Sequence, residues 1–437
     1  MREKKQVSVQ HKGTKAMKKN VWIWNHYATN MFKDQAGRHY WFAEYLMKEG
    51  YKPTIFCAST DHFSGENIDT KGRRYARETL NSIPFLFINT PNYTRNDKKR
   101  IYNIFSFYRN LFPVAIDYAK LDEPPDVILA SSVHPLTLVA GIKVAQKFGI
   151  PCICEVRDLW PESIVAYGIL KRENPIVKLM YQGEKWIYKR ADSIIMTWEG
   201  GKDYIINQGW SSEVDLSKIT YISNGVDIAS FDKNRQEYQV LDSDLQDSRF
   251  KNVVYAGSIR KVNNLGMLLD AAKIIQFKRH NDIRFVIYGS GDESERLQHR
   301  CESEHINNVI FKGRVEKKYI PSILSQAYVN ILHNSSTLLD KYGQSQNKLF
   351  EYLAAGRCIV QTYRNNYSIC ERAKCGITAP LQNAEKIAEA VIQACRDVEL
   401  NTLLSQNARK VAVEYDFKNL TKKLIKVIES VQTGKKI

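Results

Sequence analysis

Residues 252–290 contain three runs in succession, NVVYAGS (252–258), LGMLLDAAKIIQFKR (265–279) and RFVIYGS (284–290). The outer runs are apolar and of strand length, and the apolar residues of the middle run recur at helical spacing. Strands joined by helices in this way form parallel sheets buried on both faces. The alternation continues in NVIFKGR (308–314), YVNILHN (328–334), KLFEYLAAG (348–356) and CIVQTY (358–363). The second half of the chain is therefore predicted to be a doubly wound α/β domain.

The first half of the chain repeats the pattern. Its apolar runs are VWIWNHYA (21–28), PTIFCAS (53–59), DVILASS (126–132), PCICEV (151–156), SIIMTW (193–198) and ITYISNGVD (219–227). We predict two doubly wound domains facing across a cleft, at 20–231 and 251–412. Residues 1–19 form a basic tail, and the polar, aperiodic segment 232–250 is the interdomain linker. The last segment, 413–437, is predicted to be helical, and two alternatives remain open: it packs against the second domain, or it crosses back to the first.

Composition limits the class of protein. The chain has 437 residues with 43% hydrophobic and 25% charged, as in globular proteins. It has no apolar run of the ~18–20 residues that span a bilayer, and its start lacks a signal-peptide core, so a cytoplasmic location is predicted. The net charge of +17 indicates an anionic partner. The eight cysteines lack metal-site spacing and are predicted to be reduced, with Cys152 and Cys154 on one strand face.

The segment YGQSQNKLFEYLAAGRCIV (342–360) has the chemistry of a phosphate site. A polar turn opens into a helix, whose free N–H groups and dipole attract anions. Lys348 would add a full charge, and one turn later Glu351 could accept hydrogen bonds from ribose hydroxyls. An ordinary capped helix with solvated Lys and Glu explains the same spacing.

Two other loops of the second half follow predicted strands. Gly257, Arg260 and Lys261 follow the first one, where cations could neutralise a departing diphosphate. The residues after NVIFK are Gly313, Arg314 and Val315, whose backbone could contact a base. A solvated charged turn and a plain β–α turn are the alternatives. The run YGSGDE (288–293) does not match GxGxxG and is interpreted as a tight turn.

The first half has an unusual polar group in EVRDLWPESI (155–164). Its functional candidates are Arg157, Asp158, Trp160 and Glu162, which suit recognition of sugar hydroxyls and acid–base work. His134 ends another predicted strand, although a lone histidine is more often structural. Asp34 and Gly37 lie in the first β–α loop, where glycine permits close approach to a ligand.

Five segments together resemble the family 4 retaining glycosyltransferases with the GT-B fold. They are RDLWPES (157–163), ISNGVD (222–227), YAGSIRKVNNL (255–265), IFKGRV (310–315) and SQNKLFEYLAAG (345–356). The likeness is greatest to the subgroup that builds capsule and O-antigen, including the fucosamine transferase-like enzymes. Many relatives carry two glutamates eight positions apart. Here Glu351 is present, but Gly343 occupies the earlier position.

The resemblance implies transfer of a hexosyl or N-acetylhexosaminyl group from a UDP-sugar, without a metal or other cofactor. It assigns Glu351 to the ribose, Arg260 and Lys348 to the diphosphate, and Gly313 to Val315 to the base. The other donor-site residues are Gly257, Lys261, Ser345, Asn347 and Leu349. The first domain would bind a polyprenyl-diphosphate-linked or other glycan acceptor beside Asp34, Gly37, Arg157, Trp160 and Glu162. The catalytic candidates are Asp158, Arg260 and His134.

A basic aromatic helix is predicted in DKKRIYNIFSFYRNLFPVAIDYAK (97–120). Such a helix either lies at a bilayer interface or packs its aromatic side chains into the core. The interfacial alternative predicts peripheral attachment to the inner face of the cytoplasmic membrane. The competing functions are a nucleotide-sugar 2-epimerase and an inactive glycosyltransferase-like partner subunit. Nucleic-acid binding is disfavoured, because the sequence has neither a base-reading basic helix nor an aromatic RNA-binding strand.

Overall fold

A computed structural model describes residues 19–62, 64–93, 98–132 and 134–433 of the protein. The predicted basic tail, apart from Lys19, lies outside these residues, as do Asp97 of the aromatic segment and residues 434–437. The strands are β1 Asn20–Trp24, β2 Lys52–Ala58, β3 Tyr75–Leu80, β4 Ile83–Ile88, β5 Val127–Ser131, β6 Cys152–Val156, β7 Ser193–Met196, β8 Ile219–Tyr221, β9 Lys251–Ala256, β10 Ile283–Tyr288, β11 Val309–Gly313, β12 Val329–Leu332, β13 Cys358–Gln361 and β14 Gly376–Thr378.

Helices connect most of these strands. They are α1 Thr29–Asp34, α2 Arg38–Lys48, α3 Lys98–Leu121, α4 Pro135–Phe148, α5 Glu162–Ala166, α6 Pro175–Arg190, α7 Gly201–Asn207, α8 Ile228–Glu237, α9 Ser243–Gln246, α10 Gly266–Phe277, α11 Ser294–Ser303, α12 Ile320–Gln326, α13 Asn347–Ala355, α14 Ile369–Arg372, α15 Ala384–Arg396, α16 Val398–Ala412 and α17 Phe417–Thr433. Two of them begin at residues that favour the start of a helix. Pro135 opens α4, and the Asn174 side chain accepts a hydrogen bond from the Ile176 N–H at the start of α6.

The strands form two sheets, one in each half of the chain. The first has the order β3-β4-β2-β1-β5-β6-β7-β8, and the second β11-β10-β9-β12-β13-β14. All neighbouring strands pair in parallel except β3 and β4, which are antiparallel. Along each sheet the strand order reverses once, between β1 and β5 in the first and between β9 and β12 in the second. Loops at the carboxyl ends of strands separate at such a reversal, and this is where open α/β sheets bind ligands.

Both faces of each sheet are covered. Trp22 and Trp24 face a core shared with α3, α4 and α6, whereas Val21 and Ile23 face one shared with α2 and α17. In the second sheet, Val253 and Val254 likewise lie in two different cores. The apolar strand runs found in the sequence follow from this double burial. The prediction of two doubly wound domains is confirmed.

The last helix crosses back to the first domain. Leu420 and Leu424 of α17 are buried in the core that covers α2 and the first sheet. The crossing is tight, because a Cβ on Gly225 would lie 2.3 Å from the Tyr415 carbonyl oxygen. Of the two packing alternatives open from the sequence, the structure has the one on the first domain.

A loop of the second domain also enters the first. Residues Leu338–Tyr342 form a 3₁₀ turn, and Leu339 and Tyr342 are buried in the core beneath α3, α4 and α6. The Gly200 N–H donates to the Tyr342 carbonyl at 3.0 Å. Nearby, Arg372 forms a bidentate ion pair with Glu199. These contacts fix the second domain against the first on the side of α7.

The connection between the sheets contains more regular structure than we predicted. Within 232–250, α8 continues to Glu237 and α9 follows. Phe231 and Leu245 anchor the connection in a core of the second domain. The Asp227 and Asp242 side chains cap the two helices, accepting from the N–H groups of Ser230 and Asp244 at 2.7 and 2.9 Å. Such short helices depend on caps and anchors more than on apolar periodicity.

The described cysteines are all free thiols. Cys152 and Cys154 are buried in the same core with their Sγ atoms 4.0 Å apart, so their predicted placement on one strand face is confirmed. No helix in the described residues is both long enough and apolar enough to cross a bilayer.

Candidate active site

A cleft of about 780 Å³ is lined by residues of both domains. Asn25, Ser132 and Arg157 follow strands of the first sheet, while Lys317 follows β11 and Glu351 belongs to α13 of the second. The cleft therefore lies where the carboxyl ends of the two sheets face each other. Loop backbones and helix N-termini meet at such a position, which makes it suited to a ligand that contacts both domains.

The wall from the first domain contains four of the predicted residues, Asp34, Gly37, Arg157 and Asp158. Gly37 has φ +118°, and a Cβ there would lie 2.9 Å from Met31 Cγ, so the turn that opens α2 requires glycine. Burial raises the pKa of Asp158, and the Arg157 charge opposes that shift. The Arg157 Nε is buried and has no hydrogen-bond partner among the described residues. This wall thus presents a carboxyl group beside a guanidinium whose buried Nε–H is unsatisfied.

The wall from the second domain is built on the start of α13. Asn347 is the first residue of the helix and lines the cleft, and no side chain caps the helix start. Glu351, one turn later, is half-buried and also lines the cleft. Burial raises its pKa, and the charge of Lys317 on the same wall opposes the rise. The Glu351 carboxylate has no hydrogen-bond or ion-pair partner among the described residues and is available to accept from a ligand.

Lys348 lies at the strand-order reversal of the second sheet. Its ammonium donates to the carbonyl of His333, just after β12, at 3.0 Å and to the hydroxyl of Tyr255 in β9 at 3.3 Å. It also lies 4.6 Å from the centre of the Tyr255 ring. Burial lowers the pKa of Lys348 to about 8. A lysine held there without a carboxylate favours an anionic ligand, which would offset the cost of burying the charge.

Arg260 and Lys261 lie in the loop after β9 but point to different surroundings. Burial and the charges of Arg100 and Arg260 all lower the pKa of His62, a residue that lines the cleft. The exposed Arg260 is therefore close to His62 of the first domain, although it is not among the residues that line the cleft. Lys261 instead lies near Glu293, whose pKa its charge helps to lower after the larger effect of Arg296. Neither residue lines the cleft, and Arg260 is the one whose charge acts on a residue of the cleft lining.

The strand ends of the second sheet are joined by backbone contacts. The Gly257 N–H donates to the Tyr288 carbonyl at 3.0 Å, and the Gly289 N–H donates to the Gly313 carbonyl at 2.8 Å. A Cβ on Gly289 would lie only 1.8 Å from the Gly257 carbonyl oxygen, so no other residue fits. Arg314 is exposed, whereas Val315 packs against a core. The interpretation of YGSGDE as a tight turn agrees with this geometry.

Two predicted donor-site residues have structural contacts instead. The Ser345 Oγ accepts from the Asn224 N–H at 2.7 Å, and the Ser345 carbonyl accepts from the Asn224 side chain at 2.6 Å. Ser345 thus joins the ISNGVD segment to the start of α13. Leu349 is buried in the second-domain core, because helical periodicity turns it away from Glu351. Its side chain therefore has no direct access to a ligand.

Three residues predicted for the first-domain wall are absent from the cleft lining: Trp160, Glu162 and His134. Glu162 accepts hydrogen bonds from Tyr181 at 2.6 Å, Gln208 at 2.8 Å and Arg172 at 3.0 Å, because α5 turns its carboxylate toward α6 and α7. That geometry contradicts its assignment to the acceptor. The Trp160 ring is likewise outside the cleft lining.

His134 lies buried behind the cleft at the strand-order reversal of the first sheet. Its Nε2 is 2.7 Å from His26 Nδ1, and His26 Nε2 is 2.7 Å from the Asn103 side-chain oxygen. Burial and the Arg100 charge lower the pKa of His134 to about 3. A neutral, buried imidazole within a hydrogen-bond network of side chains is typical of a structural histidine. This geometry gives no support for direct catalysis by His134.

Sequence reasoning missed a buried ionic cluster beneath the cleft. Glu155 in β6 accepts from Arg38 Nε and from Ser131 Oγ at 2.8 and 2.7 Å, and its other contact is His39 Nε2 at 2.8 Å. Although burial opposes it, Arg38 and His39 hold the pKa of Glu155 well below its usual range. The available signal was one acidic residue inside the apolar run PCICEV. Such a residue needs a cationic partner, and only the fold brings Arg38 to it.

In the part of the chain that the structure describes, no three His, Cys, Asp or Glu side chains gather closely enough to hold a metal ion.

Two family models match the sequence. The model described as Glycosyltransferase Family 4 matches residues 40–230, and the one described as Glycosyl transferases group 1 matches residues 250–397. The first match lies within the half that carries the first sheet, and the second begins just before β9. No curated protein sequence matches the chain.

Solved structures share the fold at low sequence identity. Sucrose-phosphate synthase from Thermosynechococcus elongatus superposes with a TM-score of 0.71 at 14% identity, covering 95% of this chain and 100% of that one. A UDP-forming α,α-trehalose-phosphate synthase from Burkholderia vietnamiensis has a TM-score of 0.70 at 12% identity, covering 96% and 100%. Anabaena HepE in complex with UDP-glucose has a TM-score of 0.61 at 12% identity, covering 94% and 99%. Together with the two matched family models, this fold identifies the chain as a family 4 glycosyltransferase of the GT-B type.

Proposed function

We propose that the protein transfers a hexosyl or N-acetylhexosaminyl group from a UDP-sugar to a glycan acceptor with retention of anomeric configuration. The acceptor is carried on a polyprenyl diphosphate, and the product is a surface polysaccharide of the capsule or O-antigen kind. The observation that carries the proposal is the single cleft that joins the start of α13 to the wall containing Arg157 and Asp158. The likeness to the fucosamine transferase-like subgroup supports the acceptor class.

UDP is the nucleotide we favour for the donor. HepE was solved with UDP-glucose, and the Burkholderia trehalose-phosphate synthase is UDP-forming. In this chain the open N-terminus of α13 and the Lys348 ammonium would bind the diphosphate, and Glu351 would accept from the ribose. Gly313 to Val315 would contact the base through their backbone. This assignment needs no metal ion, because the helix start and two cations would supply the charge.

The chemical step would depend on charge that develops on the departing diphosphate. Arg260 lies near His62 of the cleft lining, and Lys348 lies at the strand-order reversal. Both would stabilise the leaving group more in the transition state than in the bound substrate. Asp158, on the opposite wall, would contact the acceptor hydroxyl or the transferred sugar. Closure of the cleft would exclude water and limit hydrolysis of the donor.

At position 343, where many relatives have a glutamate, the local structure of this chain favours glycine. Gly343 has φ +89°, and a Cβ there would lie 3.1 Å from the Tyr367 Cβ. A side chain at this position would therefore meet Tyr367 and adopt a left-handed backbone conformation. We infer that the contact to the donor sugar comes from backbone groups or from another residue.

A ligand screen followed by a turnover assay tests the function. Thermal shift with UDP, GDP and ADP should show stabilisation by UDP at the lowest concentration. The UDP-sugars that bind are then incubated with and without polyprenyl-diphosphate glycans, and both products are analysed by mass spectrometry. We expect UDP release to depend on the acceptor. Conversion of the sugar to its 2-epimer without acceptor would identify the epimerase alternative, and absence of both reactions would support the inactive partner subunit.

Membrane contact through α3 is a second part of the proposal. The helix buries Phe107 and Leu111 in the core but leaves Ile101, Tyr102 and Phe105 between 55% and 62% exposed. Its aromatic residues thus divide between core packing and a solvent-facing surface. Lys98 begins the helix at the same end, where a cation would approach anionic headgroups. An acceptor with a lipid anchor lies at a bilayer, so the enzyme would have to bind the bilayer surface to reach it.

Sedimentation with vesicles of phosphatidylglycerol and phosphatidylcholine tests this surface. We expect Tyr102→Ser with Phe105→Ser to reduce vesicle binding by about tenfold or more, since each side chain contributes roughly 1–2 kcal/mol when buried. Phe277→Ser is the matched control, because Phe277 is 87% exposed on the second domain. Equal vesicle binding by the wild type, the double variant and the Phe277→Ser control would exclude α3 as the membrane contact.

A further inference from the structure

A second cavity, of about 510 Å³, lies on the second domain at the junction of α8, α12, α13 and α16. Three arginines line it: Arg235 from α8, Arg357 from the residues after α13, and Arg409 from α16. The rest of the lining consists of polar or small residues, and none of the lining residues is acidic. The cavity is therefore an electropositive pocket separate from the cleft.

The positive charge in this cavity is only partly compensated. Arg409 and Arg235 share one carboxylate, Asp232, which lies outside the lining and 3.5 Å from Arg235. Arg357 donates from Nε to the Ser325 carbonyl at 2.7 Å but has no carboxylate partner among the described residues. Burial, and then the nearby charge of Arg235, lower the pKa of Arg357. An anion between Arg235 and Arg357 would remove this repulsion.

A hydroxyl in the same cavity also lacks a partner. The Ser325 Oγ is buried and makes no hydrogen bond in the described part of the chain. Its carbonyl is the group that holds Arg357, so the free hydroxyl and the guanidinium are adjacent. Buried hydroxyls are nearly always satisfied, and one beside three arginines is suited to donate to an oxygen of a bound ligand.

We propose that this cavity binds a small oxyanion, either phosphate or the phosphate group of a soluble metabolite. Arginine suits this chemistry, because its planar fork donates two parallel hydrogen bonds to a phosphate. Arg235 and Arg357 supply the two guanidinium groups, and Ser325 supplies a neutral donor. The site is separate from the proposed sugar-nucleotide cleft and does not depend on it.

Two helices connect this site to the cleft. In α8, Lys233 and Asn234 line the cleft while Arg235 lines the cavity. In α13, Glu351 lines the cleft and Ala355 lines the cavity one turn later. An anion that draws α8 toward the end of α13 would therefore move residues of the cleft wall. The expected consequence is a change in UDP affinity, and this consequence alone rests on the proposed function.

The test is a titration of the full chain with sodium phosphate at constant ionic strength, followed by calorimetry. It is performed in the Lys348→Met background, so that phosphate binding in the cleft is suppressed. We expect Arg357→Gln to weaken phosphate binding at least about tenfold, as loss of one charge-assisted contact predicts. Arg235→Gln should have the same effect and serves as the second variant should Arg357→Gln fold poorly. Arg279→Gln, an exposed arginine of the same domain, is the control.

The outcomes separate the site from its alternatives. Absence of phosphate binding, or equal binding by Arg357→Gln and the control, would overturn the proposal. Sedimentation with phosphatidylglycerol vesicles distinguishes a soluble anion from a lipid headgroup. We expect vesicle binding to be unchanged by Arg357→Gln, and vesicle binding that requires Arg357 without binding of free phosphate would contradict the proposal. The UDP dissociation constant, measured with and without phosphate, then reports on the coupling.

Discussion

Replacing Lys348 with methionine should separate ligand binding from stability. The ammonium is enclosed between β9 and β12, and burial lowers its pKa from 10.5 to about 8. At pH 7 the charged form is present both folded and unfolded, so the folded protein bears the cost of burying it. The shift corresponds to about 3 kcal/mol. Methionine has a similar length and removes this cost.

Part of that gain is lost with the hydrogen bonds. The His333 carbonyl accepts from Lys348 at 3.0 Å, and leaving a buried carbonyl unsatisfied costs about 1–3 kcal/mol. We therefore expect Lys348→Met to have a free energy of unfolding between unchanged and about 2 kcal/mol higher. For UDP binding the expectation is opposite. Loss of a partly buried charge-assisted contact to the diphosphate should cost about 2–3 kcal/mol, or thirtyfold to over a hundredfold in affinity.

The assay combines urea unfolding at pH 7 with calorimetric titration of UDP on the same protein samples. Lys410→Met, a substitution of an exposed lysine on α16, is the control for loss of one charge. The reasoning would be refuted by a variant that is several kcal/mol less stable yet binds UDP as tightly as the wild type. That result would make Lys348 a structural residue that supports His333 and Tyr255.

Three further predictions concern pH, turnover and the buried cluster. UDP affinity should fall as pH rises above about 8, by up to tenfold per pH unit, because Lys348 loses its proton in the free protein but keeps it when the diphosphate is bound. A flat profile of UDP affinity from pH 7 to 10 would contradict this. Arg260→Gln should lower kcat about a hundredfold while the UDP dissociation constant changes less than about threefold, and the reverse pattern in steady-state kinetics would reassign Arg260 to ground-state binding. Glu155→Gln should destabilise the protein by about 3–5 kcal/mol in urea unfolding, since Arg38 keeps its charge without its carboxylate, and a loss below about 1 kcal/mol would show that the cluster contributes little.

Most of the sheet strands could be predicted because burial on both faces gives each one a continuous apolar run. The strands missed are those to which this reasoning does not apply. Tyr75–Leu80 is an antiparallel edge strand with exposed polar residues, and Gly376–Thr378 is only three residues long. Ile83–Ile88 is apolar, but it follows a hairpin turn rather than a helix, so it does not fit the strand–helix alternation.

The sequence placed some of the candidate residues at the cleft and not others. Glu351, Asp158 and Arg157 line the cleft, as their positions after strands or at a helix start suggested. Glu162 lies outside the cleft lining, because the helix that begins at that residue directs its carboxylate toward α6 and α7, and local spacing does not show this direction. Glu155 was missed for the opposite reason. Its partner Arg38 is 117 positions away, and only the folded sheet brings the two together.

The return of α17 to the first domain has a consequence for how the protein is made. The first sheet is translated before the second, yet one of its faces is covered by Leu420, Leu424 and Ile428, which are synthesised only after the whole second sheet. While the second half is synthesised, the apolar side of α2 and its neighbouring strands stays exposed to solvent, because α17 has not yet been made. A chain ending at residue 412 would keep that surface bare permanently. The two halves therefore complete their folding together, and the first domain depends on α17 to bury this apolar face.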